Sequence, residues 1–181
     1  EVECTDGVLI FDDTLQEKPF SKENALNTWH YDHTKNRTVK GINLLNAHYH
    51  AGNASLPVAY RLVEKTIQYT DLKTKKTRRL AEQTKNQMLR EMLKVCCQNQ
   101  LLFRYVLTDS WFCSNENMMF VRHDCDRHFL MAMKSNRKVS LSLEDKLQGR
   151  SQRIDTVDFS EGKPVKGWIA GVDFPVLLFR Q

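Results

Sequence analysis

Short apolar runs separated by polar turns recur through the first 112 residues of this chain, and they predict β-strands. Runs rich in β-branched and aromatic side chains are typical of strands in a buried sheet. They occupy residues 8–11, 38–50, 55–64 and 103–112. The turn at residues 51–54 joins the second and third runs, so these two strands are predicted to form an antiparallel hairpin. Residues 15–37 are polar and are predicted to be irregular.

One longer segment, residues 80–100, has the periodicity of an amphipathic helix. Its apolar positions recur at i, i+4, i+7 and i+8, namely Met88, Met92, Val95 and Cys96. A strand–helix–strand order implies parallel neighbours joined by a right-handed crossover, whereas the hairpin implies antiparallel pairing. We therefore predict an α/β fold of mixed α+β character, in which helices flank a mixed sheet. After residue 137, short strand-like runs predict a β-rich segment.

The composition adds a charge argument to this picture. Hydrophobic residues make up 41% and charged residues 27% of the 181 positions, which is the composition of a globular domain. The net charge of +5 is a hint of a polyanionic partner. No apolar run approaches the roughly 20 residues that a membrane-spanning helix needs. The five cysteines include no CxxC pair, so we expect free thiols in a reducing cytoplasm.

Two predicted strands run directly into acidic side chains. Asp12 and Asp13 follow residues 8–11, and Asp109 follows residues 105–108. If these two strands are parallel neighbours, their ends lie about 5 Å apart, and the acids would repel each other unless a cation neutralised them. Mg²⁺ and Mn²⁺ take such oxygen ligands, and a pair of these ions can promote phosphodiester displacement. An acidic turn without function is the alternative, and strand alternation cannot choose between Asp12 and Asp13.

The chain resembles insertion-sequence transposases of the DDE superfamily, of the type known as IS-four. The resemblance lies in collinear segments that span most of the chain: GVLIFDDTLQEKPF, WHYDH, VKGINLLNAHYHAG, LPVAYRLVEK, KNQMLREMLKVCCQNQLLFRYVLTDSWF and MAMKSNRKVSLSLEDKLQGR. It implies a ribonuclease-H-like catalytic core at residues 1–137 and the start of a β-strand insertion domain at 138–181. It also implies Asp13 and Asp109 as catalytic metal ligands for Mg²⁺ or Mn²⁺, with Asp12 in reserve.

The resemblance also implies a third acid, a glutamate within a segment like Y-x-x-R-W-x-x-E, which this sequence lacks. Glu116, Glu144 and Glu161 are not in that context, although Glu144 is the most tempting of them. We therefore expect an internal fragment that is inactive alone. When intact, such a bacterial enzyme would be a cytoplasmic, nucleoid-associated homodimer that binds double-stranded DNA at terminal inverted repeats and at the target. There are two alternatives. One is a ribonuclease-H-like nuclease or resolvase that does not transpose DNA, and the other is a catalytically inactive transposase remnant that only binds DNA.

Two basic segments are candidates for DNA contact. Lys134, Asn136, Arg137 and Lys138 follow a predicted strand, and the resemblance favours contact with the DNA backbone there. A second basic run comprises Lys73, Lys75, Lys76, Arg78 and Arg79. For this run, phosphate contact and a solvated loop stay equally open. Histidines at positions 30, 33, 48 and 50 do not form a zinc motif, and we expect them near DNA or in orienting the core.

Overall fold

The computed structural model describes residues 3–160 and 162–180. The chain forms two compact units, of which the first ends at Thr108 and the second begins at Asp109. The elements of the first unit, in chain order, are β1 (Val8–Glu17), β2 (Thr28–Asp32), β3 (Arg37–Ala51), β4 (Ala54–Leu62), β5 (Ile67–Thr70), β6 (Thr77–Leu80), α1 (Lys85–Gln98) and β7 (Tyr105–Thr108).

The sheet of the first unit is mixed, as the sequence predicted. β1 lies between β3, to which it is antiparallel, and β7, to which it is parallel. The opposite edge of β3 pairs first with β2 and then with β4, both antiparallel. The predicted hairpin of β3 and β4 is confirmed, and Gly52 has the positive φ of 55° that its tight turn requires. β5 and β6 form a separate two-stranded hairpin.

The sequence predicted that the first strand ends before its two acids. In the structure the strand continues to Glu17. It pairs with β3 along its whole length, whereas the parallel pairing with β7 ends where Phe11 lies opposite Thr108. Asp12 and Asp13 are therefore strand residues and not turn residues. The reason is the length of β3, whose backbone hydrogen bonds keep β1 extended beyond the end of β7.

Two further predictions of local structure were wrong in part. Residues 15–37 are not irregular throughout, because β2 pairs with the first part of β3. For the basic run, where a solvated loop was one of two open alternatives, Arg78 and Arg79 lie on β6. The helix begins at Lys85 and not near residue 80, since Thr84 and Gln87 form a capping box that fixes its start.

The core of the first unit lies between the sheet and α1. Leu9 and Phe11 of β1 and Leu45 of β3 are almost completely buried, as is Leu89 of α1. The apolar periodicity of α1 is largely correct, although Val95 is 44% exposed and lies outside the buried stripe. The buried row of β1 thus points toward the same core as α1, and this direction positions the site described below.

The second unit contains shorter elements. In chain order they are α2 (Asn115–Met119), a single π-helical turn (Phe120–Asp124), β8 (His128–Met131), β9 (Lys138–Val139), α3 (Leu143–Leu147), β10 (Gln152–Arg153), a 3-10 turn (Ile154–Thr156), β11 (Val165–Trp168) and β12 (Pro175–Leu178).

Two antiparallel pairs, β9 with β10 and β11 with β12, make up the β-rich part of the second unit. The division between a core at 1–137 and an insertion at 138–181 stays a prediction. Among the residues described, no helix has the length and apolar character needed to cross a bilayer.

Candidate active site

Asp13 lies where the buried row of β1 reaches the edge of the core. Alternate residues of a strand share a face, so Asp13 continues the row of Leu9 and Phe11. Those two side chains are 0% and 1% exposed, whereas the Asp13 side chain is 21% exposed. The carboxylate is therefore partly shielded by protein and still reachable from solvent.

Two donors from distant parts of the first unit hold one oxygen of this carboxylate. Asn43 of β3 donates from Nδ2 to Asp13 Oδ2 at 2.7 Å, and Lys85 donates from Nζ to the same oxygen at 2.8 Å. The other oxygen, Oδ1, accepts no hydrogen bond from the residues that the structure describes. Asp13 thus has one oxygen held in place and one oxygen available to a further ligand.

Asp12 is placed differently from its neighbour. It lies on the opposite face of β1, is exposed, and its Oδ1 accepts a hydrogen bond from the backbone N–H of Asp13 at 2.8 Å. Strand alternation alone did not distinguish the two acids, because both faces of β1 begin with apolar residues. In the folded unit only Asp13 shares the core-facing side with Asn43 and Lys85.

Asp109 directly follows β7 and is the first residue of the second unit. It is exposed, and its Oδ1 accepts a hydrogen bond from the backbone N–H of Trp111 at 3.0 Å. This local bond is typical of an Asx turn, which redirects the chain after a strand. Asp13 and Asp109 belong to different units, and their joint action stays a prediction.

His30, Lys65 and Lys85 interact electrostatically with one another, and His30 and Lys85 also interact with Asp13. Burial lowers the pKa of His30 from 6.5 to about 4; the charges of Lys65 and Lys85 add to this shift, and Asp13 opposes it. Burial also lowers the pKa of Lys65, and the charge of Lys85 contributes in the same direction. Lys65 donates from Nζ to the carbonyl oxygen of Trp29 at 2.5 Å. His30 is therefore neutral at pH 7 beside two lysines.

Two buried atoms of this region lack a hydrogen-bond partner among the described residues: His30 Nε2 and Asn43 Oδ1. Asn43 is only 4% exposed, so its unpaired oxygen costs about 1–3 kcal/mol of desolvation free energy. Buried polar groups are usually hydrogen-bonded, and exceptions occur at functional sites. The hydrogen bond that Asn43 Nδ2 donates to Asp13 offsets this cost.

A family model described as DDE superfamily endonuclease matches residues 2–156. The chain belongs to the DDE superfamily of endonucleases. No curated protein and no solved structure matches it. The predicted relationship to DDE transposases is confirmed at the level of the superfamily, and the IS-four type stays a prediction. The mixed α/β fold agrees with a ribonuclease-H-like DDE domain, for which DNA is the implied substrate.

The superfamily generally uses divalent metal ions, and the oxygen chemistry of this site fits them in part. Mg²⁺ commonly takes one or two protein carboxylates and completes its octahedron with water and substrate phosphate. The available Oδ1 of Asp13 suits such an ion. Across residues 3–160 and 162–180, no group of three or more His, Cys, Asp or Glu side chains lies close enough to hold a metal.

The acids that were weighed as a third ligand have other surroundings in this DDE endonuclease. Glu144 lies in the first turn of α3 and pairs with Arg150 at 3.9 Å. Glu116 lies in the first turn of α2, which Ser114 caps. Glu161 lies outside the described residues.

The basic run of the first unit divides into paired and exposed side chains. Arg78 contacts Asp71 at 3.2 Å, and Arg79 contacts Glu23 at 3.6 Å. Lys75 and Lys76 are exposed in the turn between β5 and β6, and neither forms an ion pair with a residue that the structure describes. The two lysines are therefore better placed than the two arginines to meet DNA phosphate.

The basic residues of the second unit are also unequal. Arg137 is half-buried and donates to the carbonyl oxygen of Cys113 at 3.3 Å and to Asn115 Oδ1. Lys134, Asn136 and Lys138 are exposed, and the ammonium of Lys134 lies 5.9 Å from the ring centre of Trp111. Arg137 thus has a local structural role. Contact of all four residues with DNA stays a prediction.

Sequence reasoning missed Asn43, Lys65 and Lys85. One signal for Asn43 was available, because a polar residue interrupts the inward-facing positions of β3. For Lys85, the Thr84-x-x-Gln87 pattern marks a helix start, which fixes its place at the first turn of α1. Neither signal indicates that the two side chains meet at Asp13.

Proposed function

We propose that this DDE endonuclease chain is the catalytic core of an insertion-sequence transposase of the IS-four type, with Asp13 and Asp109 as ligands of Mg²⁺ or Mn²⁺. The observation that carries the proposal is the surroundings of Asp13, a partly shielded carboxylate with one oxygen held and one available. The register of β1 with β7 supports it further, since Phe11 and Thr108 are paired and an acid follows each within two residues.

A divalent cation, when bound, would activate a water or a 3′-hydroxyl and stabilise the leaving oxygen of a phosphodiester. The protein contributes preorganisation to this chemistry. Asn43 and Lys85 fix the orientation of the Asp13 carboxylate, so Oδ1 need not be reoriented when a ligand arrives. Because His30 is neutral at pH 7, it adds no positive charge beside Asp13.

The proposed substrate is double-stranded DNA at the terminal inverted repeats of the element and at the target. Exposed Lys75 and Lys76 in the first unit, and Lys134 and Lys138 in the second, are proposed to contact phosphates. The intact enzyme would act as a homodimer on DNA in the bacterial cytoplasm. The 181-residue chain alone is expected to turn over poorly, because the resemblance requires a third acid.

The test uses the full-length protein and a DNA duplex that carries an element end. Asp13→Asn and Asp109→Asn should each abolish Mg²⁺-dependent strand cleavage, because the amide removes the negative charge that a cation needs. Asp6→Asn is the matched control, since Asp6 is an exposed acid near the start of β1 that pairs with Arg104. Cleavage retained in either test variant, or lost only in Asp12→Asn, would refute the assignment.

Joined DNA products must be measured together with cleaved products. Cleavage and joining by the wild type support a transposase. Cleavage without joining indicates a nuclease or resolvase that uses the same acids. Salt-dependent DNA binding without any metal-dependent cleavage indicates a remnant that only binds DNA.

A further inference from the structure

The contact between Lys85 and Asp13 is a charge pair at the edge of the core. Their side chains are 23% and 21% exposed, and Nζ lies 2.8 Å from Oδ2. Partial burial weakens screening by solvent, so this attraction exceeds that of a fully exposed pair. Both groups nevertheless remain accessible to a small ion from solvent.

The position of Lys85 on α1 is unfavourable for a lysine. It is the first helical residue, where the helix dipole disfavours positive charge, and the first turn contains no acid. The start of the helix is already stabilised by Thr84 and Gln87 through their capping box. The stability of the helix therefore does not explain why a lysine occupies position 85, whereas its attraction to Asp13 does.

The neighbouring charges reinforce this conclusion. Lys65 is close enough that the charge of Lys85 lowers its pKa, and both lysines lower the pKa of His30. The ammonium of Lys85 thus interacts with the Asp13 carboxylate and also with Lys65 and His30, whereas Glu23 acts on Lys65 in the opposite direction. A divalent cation that approaches Oδ1 meets electrostatic repulsion from Lys85 across the same carboxylate.

We propose that Lys85 is an exchangeable counter-cation of Asp13 that leaves the carboxylate when a divalent cation binds. The inference rests on the proposed function, because it requires Asp13 to be a cation ligand. Lys85 is a positioning residue in this scheme: it holds Asp13 while the cation is absent and lowers the affinity of the site for the cation. The displaced ammonium can then bind a phosphate oxygen of DNA, because phosphate is the anion that a DNA substrate supplies.

The size of the effect follows from electrostatics. Two unit positive charges about 4 Å apart in water repel each other by about 1 kcal/mol. A unit charge and a divalent ion at that distance repel each other by about twice this energy. Movement of the flexible lysine away from the ion relieves part of this repulsion. Replacing Lys85 by an uncharged side chain should therefore tighten cation binding about tenfold.

The test measures Mn²⁺ binding to the 181-residue chain without DNA, by paramagnetic broadening of backbone amide signals near Asp13. Lys85→Met should tighten binding about tenfold, whereas Lys85→Arg should stay within about twofold of the wild type. Lys94→Met is the matched control, because Lys94 is an exposed lysine of the same helix and this substitution removes the same charge. Lys85→Gln provides a second uncharged variant if the methionine variant does not fold.

Each outcome separates this inference from the proposed function. Broadening that Asp13→Asn abolishes, with Lys85→Met tighter than wild type, supports both. Broadening that Asp13→Asn abolishes, with Lys85→Met unchanged or weaker, overturns the role of Lys85 and leaves Asp13 as a ligand. Broadening that is absent near Asp13 in every variant overturns both. If Lys94→Met tightens Mn²⁺ binding as much as Lys85→Met does, the change reflects only the net charge of the protein, and the inference is overturned.

Discussion

Acidification should destabilise the first unit through His30. The folded protein holds the pKa of this imidazole near 4, whereas its unfolded value is 6.5. Between these values the unfolded chain binds a proton that the folded chain does not. Folding stability therefore falls as the pH drops from about 6.5 toward 4, and it is fully present above that window.

The magnitude follows from the two pKa values. A full shift from 6.5 to 4 corresponds to a loss of about 1.8 kcal/mol between about pH 7 and about pH 5. The ring is only partly buried, so solvent screening reduces this figure, and we expect about 1 kcal/mol. The physical cause is desolvation of the imidazole first, and then the positive charges of Lys65 and Lys85.

Urea unfolding across this pH range tests the prediction. His30→Gln removes the titrating group, so the difference between wild type and variant isolates its contribution from the general effect of acid. His48→Gln is the control, because His48 is an exposed histidine on β3 of the same sheet. A pH dependence in His30→Gln that matches the wild type within about 0.3 kcal/mol would refute the argument.

Two other predictions follow from the contacts of the first unit. Asn43→Ala removes the hydrogen bond to Asp13 and should lower the free energy of unfolding by about 1–2 kcal/mol in urea titrations. Asn46→Ala, on the same strand without that bond, is the control, and equal losses in both variants would contradict the role of Asn43. Replacing Lys75 and Lys76 together by Gln should reduce the salt slope of DNA binding by about 2, because two phosphate contacts are lost. Replacing Arg78 and Arg79 should change it less, since both already pair with acids; the opposite ranking would refute the assignment.

Local pattern was sufficient for much of the architecture. Apolar runs located β1, β3, β4 and β7, and the turn at Gly52 determined the hairpin. The hypothesis of a site at the ends of β1 and β7 assumed that these strands are parallel neighbours, and the structure shows this pairing. These features depend on residues close in sequence or on general rules of chain connection, so a single sequence contains the information.

Element boundaries were less predictable where distant pairing determines them. Between Asp12 and Glu17 only Leu15 is strongly apolar, and β1 extends through this stretch because β3 supplies hydrogen bonds along it. The same strand supplies partners to β2, which polar composition had suggested to be irregular. Backbone pairing across long sequence separations thus overrides local propensity here.

The sequence by itself located the apolar runs of the strands and showed a resemblance to DDE transposases, because periodicity and collinear motifs are properties of the chain. Strand alternation could not distinguish Asp13 from Asp12, since both faces of β1 start with apolar residues. The resemblance favoured Asp13, and the tertiary structure showed that the two acids have different surroundings. Only the tertiary structure brought Asn43 and Lys85 to Asp13, across 30 and 72 positions of sequence. Contacts of this kind depend on strand register and helix packing, which no local pattern encodes.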